Sequence, residues 1–207
     1  MNYNEQVLET LWQILIDFVS SDIISVQSVI DSGLIVNLVS VLNDDLHKIQ
    51  PFHAQALDKL IYKADKAGTQ RLVALGIVAL CVRLLKHPNM HCVGNGIYSL
   101  VNLIADTDNR RDKEEHPLAA QIRTYKGDET LLALYSDTHT SREYQSQIAL
   151  ILGAIYQGMP LPKGYTEIAE KIKGLSRTGS LWERKNAILR LRLLASVPGV
   201  NIYEDYY

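Results

Sequence analysis

Only two cysteines, two phenylalanines, two tryptophans and six prolines occur in 207 residues. Cys81 and Cys92 cannot build a disulfide framework and no Asn-x-Ser/Thr sequon is present, so a reducing compartment, cytoplasmic or nuclear, is expected. With twelve glycines and an aromatic share of 7%, the chain is poor material for an all-β sandwich with many tight turns. The longest uncharged apolar run, Leu72 to Val82, is far short of the roughly 20 residues that cross a bilayer. The segment Met1 to Thr10 is polar and acidic where a signal peptide needs a basic start and an apolar stretch. Neither a membrane partner nor secretion is expected.

Basic residues are also missing from one end. The first 47 residues hold seven acids (Glu5, Glu9, Asp17, Asp22, Asp31, Asp44, Asp45) and no Lys or Arg, whereas residues 163–192 carry eight bases against three acids. The net charge of −2 gives no general attraction for nucleic acid. A Gly-rich phosphate loop, a G-x-S-x-G elbow and an H-E-x-x-H pair are all lacking, so neither an enzyme nor a cofactor is expected.

What the chain has is apolar periodicity. Five long segments, LETLWQILIDFVS, HAQALDKLIYKAD, VGNGIYSLVNLIAD, QSQIALILGAIYQ and RKNAILRLRLLAS, place apolar residues at i, i+3, i+4 and i+7. Aligned on a central leucine they give Leu15, Leu60, Leu100, Leu150 and Leu191, the spacing of a helical repeat of roughly 40–47 residues. Between them lie a short helix, a break and a second apolar helix, with turns predicted at Gly33, Gly76 and Gly127, where glycine takes the left-handed conformation. Three helices per unit follow. The segment DTDNRRDKEEHP at 106–117 is a solvated insertion, its charge run Asp108 to Glu115 mixing both signs. After GMPLPKG only YTEIAEKIKG and a short SRTG link precede the last long segment, so one helix is missing or reduced there.

The segments SVIDSGLIVNLVSVLN, LVALGIVALCVRLL and GIYSLVNLIAD resemble the armadillo repeat over residues 3–196. The resemblance implies an all-α fold, a right-handed α-solenoid of about four repeats in a single domain 1–207. Its divisions are a partial repeat 1–19, repeats 20–64, 65–105 and 106–157, a degenerate repeat 158–196 and a tail 197–207. It also implies a non-enzymatic scaffold whose third helices line a concave surface for an extended peptide or another protein.

Peptide-binding armadillo proteins carry a Trp and, four residues later, an Asn on each third helix. The matching pairs here are Gln13/Asp17, Asp58/Tyr62, Tyr98/Asn102, Ile148/Leu152 and Leu189/Leu193. Only Tyr98/Asn102 is close to the family pattern, which speaks against a regular importin-type ladder. Gln13, Asp17, Asp58, Tyr62, Tyr98 and Asn102 are therefore the expected partner-binding residues, an acidic, hydrogen-bonding strip suited to a basic or polar peptide. The two apolar pairs call for cover by a capping helix, a partner or a second copy, and a homo-oligomer through exposed apolar terminal repeats is one outcome. An Hsp70-type co-chaperone of the nucleotide-exchange class and a helical-repeat nucleic-acid binder or enzyme are the alternatives.

Other clusters weigh less. Cys81, His87, His91 and Cys92 match no common zinc spacing, and no metal is expected. Arg184, Lys185, Arg190 and Arg192 form no single stripe by helical angle, and the tail NIYEDYY reads as an ordinary terminus rather than a kinase substrate.

Overall fold

The computed structural model describes residues 3–22, 24–44, 46–107, 115–157, 159 and 165–194, which form twelve α-helices and no strand. The chain divides into two compact units, Met1–Thr107 and Asp108–Tyr207, and the division falls inside the charged segment 106–117. Most of that segment, and the tail 197–207, lie outside the described residues.

Unit 1 opens with α1 (Tyr3–Ser20). Three helices follow, α2 (Val26–Asp31), α3 (Leu34–Asp44) and α4 (Pro51–Lys63), and the same order returns as α5 (Lys66–Ala74), α6 (Ile77–Leu84) and α7 (Met90–Thr107). Each short first helix starts at a side-chain cap: Ser25 Oγ accepts the Ser28 N–H, and Asp65 Oδ1 accepts the Gly68 N–H at 2.7 Å. Caps of this kind are worth about 1 kcal/mol. Each then stops at a left-handed glycine, Gly33 with φ 74° and Gly76 with φ 85°, which lets the chain reverse into the second helix. No single helix among the described residues is long and apolar enough to cross a membrane. The pair α5 and α6, which together reach that length, is bent by 78°.

The third helices carry the core of unit 1. α4 packs against both α1 and α7. It buries Ala54, Leu57, Leu60 and Ile61, while α7 buries Ile97, Leu100, Leu103 and Ile104. Full burial of one such aliphatic side chain stabilises by about 1.5–3 kcal/mol. At a spacing of 43 residues the buried positions 53, 54, 56, 57, 60 and 61 of α4 fall on buried positions of α7, 96, 97, 99, 100, 103 and 104, and at 40 they do so as well.

Unit 2 contains α8 (Ala119–Thr124), α9 (Gly127–Ser136), α10 (Arg142–Ile155), α11 (Thr166–Thr178) and α12 (Leu181–Leu194). Two details differ from the sequence expectation. The left-handed residue between α8 and α9 is Lys126, with φ 57°, and Gly127 is the first residue of α9. A side chain in that conformation costs roughly 1 kcal/mol, so Lys126→Gly is expected to raise the unfolding free energy of unit 2 by up to about 1 kcal/mol, read as a higher denaturant midpoint. The expected SRTG link is also shorter: α11 continues through Gly174 to Thr178, and the break comes at Gly179. Only glycine fits there, because a Cβ would lie 2.7 Å from the Leu175 carbonyl oxygen.

α10 is buried all round, without interruption from Ser146 to Ile155. It touches α8 and α9 as well as α11 and α12, which explains why apolar residues occupy every side of it. Ile148 and Leu152 are fully buried, Leu193 is 5% exposed and Leu189 is half-buried, so the chain's own final helices supply the cover. The exposed apolar patch considered for these four residues does not exist.

Candidate functional site

Helical geometry sets three surfaces on α1. Ile16 and Val19 turn into the core, and the polar residues Gln6, Thr10, Gln13 and Asp17 follow one another at three- and four-residue steps on an exposed face. Gln13 Nε2 donates to Asp17 Oδ1 at 2.9 Å, so this expected pair forms one hydrogen-bonded unit on the surface. On α7 the same kind of stripe runs through His91, Asn95, Tyr98 and Asn102, all partly or fully open to solvent. Asn95 Nδ2 is tied to the His91 carbonyl at 2.8 Å.

At a spacing of 43 residues Gln55 and Lys59 fall opposite Tyr98 and Asn102, and at the leucine spacing of 40 Asp58 and Tyr62 do. Asp58 turns toward α7, where Asn102 Nδ2 donates to its Oδ1 at 3.5 Å. Burial raises its carboxyl to about 6, with Lys59, the Ser99 hydroxyl and the Asn102 amide pulling part of the way back. Tyr62 is 64% exposed, and Lys59 Nζ lies 5.8 Å from its ring centroid. The face of α4 is therefore polar, aromatic and of mixed charge.

Asp58 gives a pH signature. The folded carboxyl holds its proton up to about pH 6, whereas an unfolded one releases it near pH 4. Stability from this group therefore rises as pH falls between these values, and above pH 6 the full cost of burying the charge is present. Asp58→Asn is expected to stabilise unit 1 by about 1–2 kcal/mol at pH 7.5 and by almost nothing below pH 4, measured as urea midpoints at the two pH values.

Beside this face, His53 Nδ1 accepts the Gln50 N–H at 3.1 Å and its ring lies 4.2 Å from Phe52 and 5.6 Å from Trp12. Burial lowers its pKa to about 4. The sulfur and imidazole cluster further on serves the start of α7. His87 Nδ1 accepts the Asn89 N–H, and Asn89 Oδ1 accepts the His91 N–H. Burial pushes the Cys92 thiol up to about 11 and that of Cys81 higher still. No cluster of three or more ligand side chains suited to a metal occurs among the described residues. A cleft of about 220 Å³, lined by Val19, Asp22, Val26, Lys63 and Asp65, is smaller than the roughly 300–1,000 Å³ of small-molecule sites.

In unit 2 the four bases of α12 separate. Arg190 is 1% exposed and donates to Gln157 Oε1, while Arg184, Lys185 and Arg192 share the exposed side. Three of them therefore do form a stripe, which helical angles taken over all four had concealed.

No family model matches this chain, and no curated protein matches it in sequence. Among solved structures, a designed armadillo repeat protein aligns with 93% of this chain and 78% of its own, with a TM-score of 0.64 at 16% identity. The fold is armadillo-like. A computationally designed armadillo repeat protein for modular peptide recognition aligns over 93% of this chain and 77% of its own, with a TM-score of 0.60 and 16% identity. The armadillo-like order of two short helices and a long third one is what aligns α1, α4 and α7 along unit 1. Gln55, Lys59 and Asn95 join the face without having been singled out in the sequence. The signal for Gln55 and Lys59 was their place on α4 opposite the apolar set Ala54, Leu57, Leu60 and Ile61.

Proposed function

We propose that this protein is a non-enzymatic interaction module that binds an extended segment of a partner protein across α1, α4 and α7. The observation that carries the reading is the run of amide, phenol and charged side chains open to solvent on three successive packed helices: Gln13 and Asp17, then Gln55, Lys59 and Tyr62, then Tyr98 and Asn102. An extended chain brings unpaired main-chain amides and carbonyls, and Asn or Gln offers both a donor and an acceptor to them. Tyr62 and Tyr98 add flat apolar area that loses little conformational freedom on binding. Asp17 gives a basic side chain a complement at the α1 end, and Lys59 favours an acidic or neutral residue over α4. Helices already packed in place leave the ordering cost to the incoming segment. A design made for modular peptide recognition has this fold, which supports the reading.

The test is selection from a displayed library of random octapeptides, followed by titration of a labelled synthetic copy of the strongest binder. Tyr98→Ala/Asn102→Ala is expected to weaken binding at least about tenfold, a loss of about 1.4 kcal/mol, with the helical circular dichroism unchanged. Recovery of no peptide, or equal affinity of the double variant, would remove this face from consideration.

A further inference from the structure

The side-chain amide of Asn102, on the solvent-facing stripe of α7, has two ends that another molecule reads differently: Oδ1 accepts a main-chain N–H and Nδ2 donates to a carbonyl. Half a turn about the last torsion exchanges the two ends within the same space. Only a neighbour can tell them apart. Here Nδ2 points at Asp58 Oδ1, 3.5 Å away across the contact between α4 and α7. An ionised carboxylate accepts and never donates, so it keeps Nδ2 inward and leaves Oδ1 and the second amide hydrogen for a ligand. A protonated carboxyl donates as well, and either end of the amide can then face it.

Resting on the reading of α1, α4 and α7 as a peptide face, we infer that Asp58 is a positioning residue, whose charged form fixes the Asn102 amide in the orientation that binds an extended main chain. Asp58 is half-buried, with the Ser99 hydroxyl of α7 and the Cys81 thiol of α6, both fully buried, close to its carboxyl. Burial keeps that thiol protonated. Among the described residues the charge that acts on Asp58 is Lys59 of its own helix, and Glu9 and Asp17 of α1 and His91 of α7 do not. With its carboxyl raised to about 6, Asp58 is charged at pH 7.5 and mostly protonated at pH 5. An amide that spends part of its time turned the wrong way lowers the apparent affinity by that fraction. Acidification therefore weakens peptide binding while the stability contributed by Asp58 rises. A residue that only supported the packing would move both in the same direction.

The full chain and Asp58→Asn test this, since the variant keeps the shape of the side chain but, like the protonated acid, both donates and accepts. The probe is an octapeptide with blocked ends, selected from a library without Asp, Glu, His or Cys, so that it carries no group titrating between pH 5 and 7.5. In titrations the parent is expected to bind it about two- to fivefold more tightly at pH 7.5 than at pH 5. Asp58→Asn should show the parent's weaker value at both. His91 is present in both proteins, so its own titration cancels in the comparison. In 1H–15N spectra without peptide, the Asn102 side-chain pair, identified by its loss in Asn102→Ala, should shift with pH around a midpoint of about 6 in the parent and stay fixed in Asp58→Asn. Equal affinities of parent and variant at pH 7.5, or an Asn102 pair indifferent to pH, overturns the inference even where Tyr98→Ala/Asn102→Ala weakens binding. A library that yields no peptide overturns the reading of the face itself, and this inference with it, whatever the spectra show.

Discussion

Replacing Gly96 with alanine is expected to destabilise unit 1 by about 1–2 kcal/mol, although glycine-to-alanine exchange inside a helix ordinarily stabilises by about 1 kcal/mol. The sign is set by α6. A Cβ at residue 96 would lie 2.8 Å from Leu84 Cβ and 3.1 Å from the Cys81 carbonyl oxygen, both of them on α6 at points that cannot swing aside as a side-chain tip could. Making room means moving α6 away from α7, which loosens contacts made by Cys81 and Leu84, both fully buried. Overpacking of this kind costs about 1–3 kcal/mol or more, enough to exceed the propensity gain. Gly96→Leu enlarges the intrusion and should abolish cooperative folding of the unit. Trp12 in α1 lies 5.6 Å from His53 of α4 and reports on unit 1 by fluorescence once Trp182→Phe has silenced the other tryptophan. An unchanged or raised urea midpoint for Gly96→Ala would show that α6 and α7 tolerate separation.

The second large effect lies in unit 2. Tyr156 Oη donates to Asp128 Oδ2 at 2.8 Å, Tyr165 Oη lies 3.4 Å from Tyr156 Oη, and the two rings meet edge to face at 4.8 Å. All three residues are at most 9% exposed, and they join the first turn of α9 to the end of α10 and the start of α11. Burial raises the Tyr156 phenol well above its ordinary range, with the Tyr165 and Asp128 contacts adding to the shift, so it stays protonated and keeps donating. Tyr156→Phe removes that donor and leaves the Asp128 carboxylate short of a partner. The expected loss is about 2–3 kcal/mol, the range for a hydrogen bond to a buried charged group. In a Trp12→Phe background, Trp182 follows the unfolding of this unit. The double variant Tyr156→Phe/Asp128→Asn should lose less than the two single changes added together, because the amide no longer demands compensation for a charge. Strict additivity would mean that the two side chains do not support each other.

Short-range chemistry explains what was legible in the chain beforehand. Apolar steps of three and four residues identify the helices, and Gly33 and Gly76 mark turns because only glycine takes a positive φ there without strain. Where that rule met Lys126 it failed by one residue: a lysine accepts the left-handed conformation when the packing around it is worth more than the local cost. The armadillo resemblance was equally visible, since it rests on the order of helices and breaks.

Rotation and environment were decided by packing alone. A single central leucine leaves a helix free to turn by a residue or so in either direction, and it is the contact from Asn102 that shows Asp58 turned toward α7. Likewise, an apolar helix such as α10 reads identically whether it awaits a partner or is already enclosed, and α11 and α12 enclose it. The sequence by itself determined which segments are helical and where they break, because those properties depend on residues a few positions apart. Which side chains remain available to another molecule depends on helices 30 or 40 residues away, and the tertiary structure alone decided that.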